Sequence, residues 1–179
     1  YSEINEIDKS QKDYEQILKI KPDDGAALNN LGLIFSEQNN NDKALELYTT
    51  GLKMNLDNEY LAGLCYSNRA EVLLKLNEID KAISDMDSSL ISDPLNPERY
   101  YTAFLFYYLN NLDEIKAINT ISIATYLAPE NLDYLHDRAC FYRDYFNDMG
   151  LATKDFESIL EIDSNNINTQ LELANLFYM

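Results

Sequence analysis

Residues 66–94 read YSNRAEVLLKLNEIDKAISDMDSSLISDP, and the order of large and small side chains in this stretch decides the fold. Tyr66, the Arg69-Ala70 pair and Leu73 recur at spacings of three and four, which places them on one face of a helix. Asn77-Glu78 then marks a turn. Ala82 and Met86 repeat the helical spacing beyond it, and Pro94 stops the chain before the next element. Nothing in the stretch alternates with period two, so a strand is excluded and two helices joined by a tight turn are predicted.

The same skeleton occurs three more times. It appears as Leu28, Leu31-Gly32, Phe35, Ala44 and Tyr48, with Leu56 at the Pro position; as Tyr101, Phe104-Leu105, Tyr108, Ala117, Ile121 and Pro129; and as Leu135, Arg138-Ala139, Tyr142, Ala152 and Phe156, with Ser164 at the Pro position. Half copies flank these, with Ser10, Tyr14 and Pro22 before them and Gln170, Leu173-Ala174 and Phe177 after. The small residues Ala44, Ala82, Ala117 and Ala152 follow one another at 38, 35 and 35 residues. Between the helices of each copy lie Asn39-Asn40-Asn41-Asp42, Asn77-Glu78, Asn110-Asn111 and Asn147-Asp148, whose side chains are expected to cap helix starts. Gly32, Ala70, Ala139, Ala44 and Ala82 are small enough to let paired helices approach to roughly 8 to 10 Å. An all-α solenoid of about ten helices follows.

A helix-turn-helix unit repeating at this period resembles the tetratricopeptide repeat, whose unit is about 34 residues, and the resemblance covers essentially the whole chain. It implies a right-handed α-solenoid of antiparallel helix pairs, about four full repeats with flanking half repeats. The expected division is 1–24 as the end of a preceding repeat, then repeats at 25–58, 63–96, 98–131 and 132–166, and 167–179 as the first helix of a further repeat or cap. Residues 59–62 form an insertion of about one helical turn, expected to lengthen the following helix without breaking phase. The sequence departs from the family pattern in having no Trp and in lacking the closing Pro in two copies. Leu105 replaces the usual small residue in the third, which is expected to space its helices further apart.

Composition narrows the possible roles. Fourteen Lys and Arg stand against 31 Asp and Glu, a net charge of −17, which argues against non-specific nucleic-acid binding and against an anionic membrane surface. Five Gly and four Pro are too few for a coil-rich or disordered chain. Cys65 and Cys140 lie 75 residues apart with no closely spaced partner, so neither a disulfide framework nor a zinc site is expected, and a reducing, cytoplasmic setting is. No apolar run reaches the length of a membrane span. The N-terminus Tyr1-Ser2-Glu3 lacks a signal-peptide layout and an initiator Met, which suggests a piece of a longer chain.

In stacked repeats the first helix of each pair lines one surface, and the resemblance makes this the binding surface. With the skeleton residues facing the core, the opposite helix face carries Ala26, Asn30, Leu33 and Glu37; then Leu64, Asn68, Glu71 and Lys75; Arg99, Ala103, Phe106 and Asn110; Asp133, Asp137, Cys140 and Asp144; and Asn168, Glu172 and Asn175. Asn30, Leu33, Leu64, Asn68, Glu71, Arg99, Phe106, Asp133, Asp137, Asp144, Glu172 and Asn175 are the candidate peptide-binding residues. Asn amides donate to and accept from an extended backbone, and Leu33, Leu64 and Phe106 would hold apolar side chains. The acids concentrate towards the C-terminus with no cation among their opposite-face positions, which favours a neutral to basic ligand. One branch of the family grips acidic chaperone tails with two Asn and three cations. The matching positions here are Ala26, Asn30, Asn68, Arg99 and Ala103, and with two cations missing that activity is not carried over.

His136 and Cys140, four apart beside Asp133 and Asp137, are the one constellation with catalytic flavour. The bland reading, a small Cys and a helix-edge His, is stronger, because no Gly-rich phosphate loop, HExxH or CxxC accompanies them. Fourteen Tyr and seven Phe read mainly as packing, with Tyr101, Phe104 and Tyr108 buried and Tyr100 and Tyr107 against neighbouring helices. The sequence therefore predicts a protein-binding adaptor without catalysis, cofactor or metal. Its expected partner is a protein or peptide, with neither nucleic acid nor membrane, and self-association through the C-terminal helix is a further expectation. The alternatives are a self-assembling or spacing solenoid and the regulatory part of a larger enzyme.

Overall fold

The computed structural model describes residues 2–54 and 58–178, without the side chains of residues 2–6, 177 and 178. Leu56 and Met179, and the side chain of Phe177, therefore lie outside the description. Ten helices run along the described residues: α1 (Ser2–Ile20), α2 (Gly25–Glu37), α3 (Asn41–Met54), α4 (Glu59–Lys75), α5 (Ile79–Ser92), α6 (Pro97–Leu109), α7 (Glu114–Leu127), α8 (Leu132–Phe146), α9 (Met149–Ile162) and α10 (Ile167–Tyr178). The chain divides into two compact units, Tyr1–Pro94 and Leu95–Met179. In the first, α2 pairs with α3 and α4 with α5; in the second, α6 pairs with α7 and α8 with α9. The fold is the all-α helix-pair repeat expected from the skeleton.

The skeleton residues form the core. Ala44, Ala82, Ala117 and Ala152 are each wholly buried, as are Tyr48, Met86, Ile121 and Phe156 four residues further on. In the first unit Leu31, Phe35, Ala44, Tyr48 and Val72 make one cluster, and Tyr14 and Leu18 of α1 pack on it. In the second, Leu135, Ala139, Ala152, Phe156, Ile159 and Leu176 make another. The close approach at Gly32 is literal, since a Cβ there would stand 2.6 Å from Tyr48 Cε1.

Helix α4 has 17 residues against 13 in α2, and the four extra residues are 59–62. The added turn is not idle. Ala62 packs with Cys65 and Leu52 in a small buried cluster, so it fills space at the end of α3.

The expected capping holds at Asp148, whose carboxylate accepts from the Leu151 amide, but the Asn residues of the Asn-rich turns do a different job. Asn39, Asn77, Asn111 and Asn147 adopt left-handed backbone conformations, with φ of 58°, 60°, 51° and 51°, and they end the first helix of each pair rather than capping the second. The amides of Asn40, Glu78 and Leu112 reach back to the carbonyls of Phe35, Leu73 and Tyr107 at 2.8, 2.9 and 3.0 Å. These are six-residue closures of the Schellman type, with Asn where Gly is commonest. In the third copy the cap falls to an acid beyond the named turn residues, with the Asp113 carboxylate accepting from the Lys116 amide.

Each of two helix pairs carries a bidentate ion pair in its interior. Arg69 Nε and an Nη donate to Asp85 at 2.6 and 2.8 Å, and Arg138 does the same to Asp155 at 2.7 Å through both nitrogens. The other two pairs have apolar or hydroxyl residues at these places, Leu31 with Leu47 and Phe104 with Thr120.

Candidate functional site

In the first unit, α2 and α4 lie side by side and their outer faces carry the predicted residues together. The Asn68 amide donates to Asn29 Oδ1 at 2.9 Å, Asn29 donates to Asn30 Oδ1 at 3.4 Å, and Asn30 donates to the Tyr14 hydroxyl at 3.2 Å. This amide chain joins α4, α2 and α1. Asn29 is 5% exposed while Asn30 and Asn68 are half-buried, so the two predicted amides stand at the open rim and the unpredicted Asn29 holds them from below. Tyr14 belongs to the half copy that the sequence marks with Ser10, Tyr14 and Pro22. Leu33 is 41% exposed and Leu64 half-buried, which leaves apolar surface beside the amides. Lys75 donates to Ser36 Oγ at 3.1 Å. Glu71 is exposed, and nearby protein raises its carboxyl from the ordinary value against the pull of Lys75.

In the second unit the first helices α6, α8 and α10 place the remaining candidates, and two must be corrected. Arg99 is 6% and Phe106 1% exposed, so neither side chain is presented to a ligand. The reason lies in α6 itself, where Ala103, Phe104, Phe106 and Tyr107 are all buried; a helix apolar on several sides is buried on several sides. Tyr101 and Tyr108, expected in the core, are only half-buried.

The acids are also less isolated than the sequence implied. Arg143, outside the predicted face set, bonds to Glu172 at 2.6 Å and to Asp144 at 2.6 and 3.0 Å. Asp137 accepts from the Tyr101 hydroxyl at 2.7 Å and faces His136 Nδ1 at 3.5 Å. Its carboxyl is raised by burial but lowered further by these two partners, and ends below the usual range. The His136 imidazole is pushed up to about 10, chiefly by Asp137, then by Cys140, with burial opposing. Four carboxylates thus face two cations, Arg143 and protonated His136. Asp133 and Asn175 are exposed at this surface. Cys140 Sγ lies 3.9 Å from both His136 ring nitrogens, a long contact that selects neither nitrogen. Cys65 is buried and Cys140 half-buried, and neither is bridged. Among the described residues no helix is long and apolar enough to cross a membrane.

Paired helices with repeated core positions and amide-bearing first helices define a helical-repeat scaffold. A tetratricopeptide repeat family model matches residues 1–55 and again 35–97, and the chain belongs to that family. Residues of this chain are 33% identical over 94 positions to the Hsp70/Hsp90 co-chaperone CNS1 of Saccharomyces cerevisiae, which covers 52% of the chain and 24% of that protein. The chain therefore spans about a quarter of that relative's length. Two solved structures share the fold. MamA residues 41 to the end from Desulfovibrio magneticus RS-1 superimposes with a TM-score of 0.67 at 17% identity, covering 90% of this chain and 88% of that one. The tetratricopeptide repeat protein YrrB does so with 0.62 at 15% identity, covering 96% and 85%.

Proposed function

We propose that the chain is a protein-interaction scaffold that holds a peptide segment or helix of a partner against its first-helix faces, with no chemistry of its own. The observation that carries this is the amide chain Asn68–Asn29–Asn30–Tyr14 beside exposed Leu33. It supplies donors and acceptors to an extended backbone and apolar contact to its side chains, the two things an unpaired peptide lacks. Likeness to a co-chaperone supports a protein partner. The clamp for acidic tails, however, would need cations where this chain has Ala26 and Ala103, and Arg99 is buried. A neutral to basic partner segment suits the acidic second unit better.

The test is a peptide-library selection on the full chain, followed by titration of the selected peptide against Asn68→Ala and Leu33→Ser. Each variant is expected to weaken binding by about five- to thirtyfold, as for loss of one hydrogen-bonded or apolar anchor. Selected peptides that bind both variants as tightly as the parent would refute this surface assignment.

A further inference from the structure

Between α6 and α8 a narrow cleft of about 80 Å³ is lined by Phe104, Tyr108, Asp137, Cys140 and Phe141. Its walls are aromatic. Phe104 and Tyr108 stack with centroids 5.4 Å apart and planes 15° from parallel, and Phe141 stands edge-on to them at 5.6 and 5.4 Å. Tyr145, 39% exposed, extends the wall by stacking on Phe141 at 4.6 Å. Asp137 is the one charged residue of the lining, with 33% of its side chain accessible.

Simple core packing accounts for the rings but not for the carboxylate among them. Phe104 and Phe141 are 1% and 3% exposed, so the rings a guest could meet are those of half-buried Tyr108 and of Tyr145, and beside them an acid held by the Tyr101 hydroxyl contributes to the lining. Ring faces carry negative potential and attract cations, more strongly as water is excluded. A carboxylate beside them repels acidic guests and gives an apolar guest nothing. Tyr101 occupies one Asp137 oxygen and His136 approaches the other, but each oxygen accepts more than one donor. Around the cleft Asp133, Asp144 and Glu172 outnumber the cations Arg143 and His136, so the long-range field also draws a positive group inward.

We propose that this cleft receives the positively charged head group of a basic side chain, guanidinium or ammonium, from the partner segment. The proposal rests on the peptide-holding role above and names the chemistry the second unit selects. The first unit's amides grip backbone, and this cleft reads one charged side chain.

The experiment is a backbone-amide NMR titration of the full chain with three probes: N-acetyl-arginine methylamide, N-acetyl-lysine methylamide, and N-acetyl-citrulline methylamide, which keeps the shape of arginine without its charge. Saturable shifts are expected at Tyr108, Asp137, Cys140, Phe141 and Tyr145, with citrulline about tenfold weaker than the better basic probe; the lysine arm decides between ammonium and guanidinium. The near-isosteric Asp137→Asn is expected to cost about fivefold, and Tyr108→Leu provides a second variant should the first perturb the fold. Equal binding of arginine and citrulline, shifts scattered over the acidic surface, or absence of saturation with both basic probes overturns the proposal. A selected peptide that still binds through Asn68 and Leu33 while both basic probes leave the cleft amides unmoved overturns the cleft alone. Saturable basic-probe binding in a chain that holds no peptide overturns the peptide-holding role alone.

Discussion

Arg69 on α4 and Asp85 on α5 meet through two parallel hydrogen bonds of 2.6 and 2.8 Å, with Thr49 of the preceding helix pair accepting a third at 3.1 Å from the same guanidinium. The pair is mostly enclosed, with side-chain exposures of 21% and 10%. Removing one partner strands the other. Asp85→Ala is expected to cost about 2–3 kcal/mol, below the range for fully buried pairs because water still reaches Arg69. The double variant Arg69→Met, Asp85→Leu is expected to recover most of that loss, as urea unfolding would register. A double variant weaker than the single one would contradict this account.

Gly32 and Tyr48 set a second expectation. A methyl at Gly32 would overlap a ring that has no room to move, since Tyr48 is wholly buried, so Gly32→Ala is expected to lose about 1–3 kcal/mol by overpacking. The hydroxyl of the same ring has no hydrogen-bond partner among the described residues. Tyr48→Phe removes a buried polar group that gains nothing and is expected to be neutral or stabilising by up to about 1 kcal/mol. Thermal unfolding of the two variants should move in opposite directions, or leave the second unmoved.

The left-handed asparagines predict a pattern rather than a single value. Asn77→Ala puts a less tolerant residue at φ 60° and is expected to cost about 1 kcal/mol, whereas Asn77→Gly relieves the backbone and is expected to be neutral or slightly stabilising. Equal melting temperatures for the Ala and Gly variants would rule out backbone strain as the cause.

His136 gives the pH dependence. Its folded imidazole is raised to about 10 by Asp137 first and Cys140 second, while the unfolded ring titrates near 6.5. Its contribution to stability is therefore complete below about pH 6.5 and disappears as pH rises towards 10. The chain should weaken across that window, and His136→Gln should flatten the trend relative to the parent; urea midpoints at pH 6, 8 and 10 measure the difference. Identical slopes in parent and variant would remove His136 from the account.

Phe106, offered by the helical register as a ligand contact, instead predicts a stability effect. With 1% of its surface exposed, Phe106→Ala is expected to cost about 3–5 kcal/mol. Circular-dichroism melts should register that loss even without any peptide present.

The sequence determined the helices, their pairing and the core because those depend on short-range order. Ala44 with Tyr48 and Ala152 with Phe156 recur at helical spacing, and a turn of helix forces residues so spaced onto one face. What only tertiary structure decided was which polar groups meet across helices. Asn29 under Asn30 and Asn68, Arg143 between Asp144 and Glu172, and Asp85 and Asp155 opposite their arginines each join residues on different helices or faces. Helix periodicity assigns a residue to a face but says nothing of what stands opposite it. The burial of Phe106 and the half-open ring of Tyr108 were decided there too, since a helix bearing apolar groups on several sides leaves its open side to be chosen by the neighbours that pack against it.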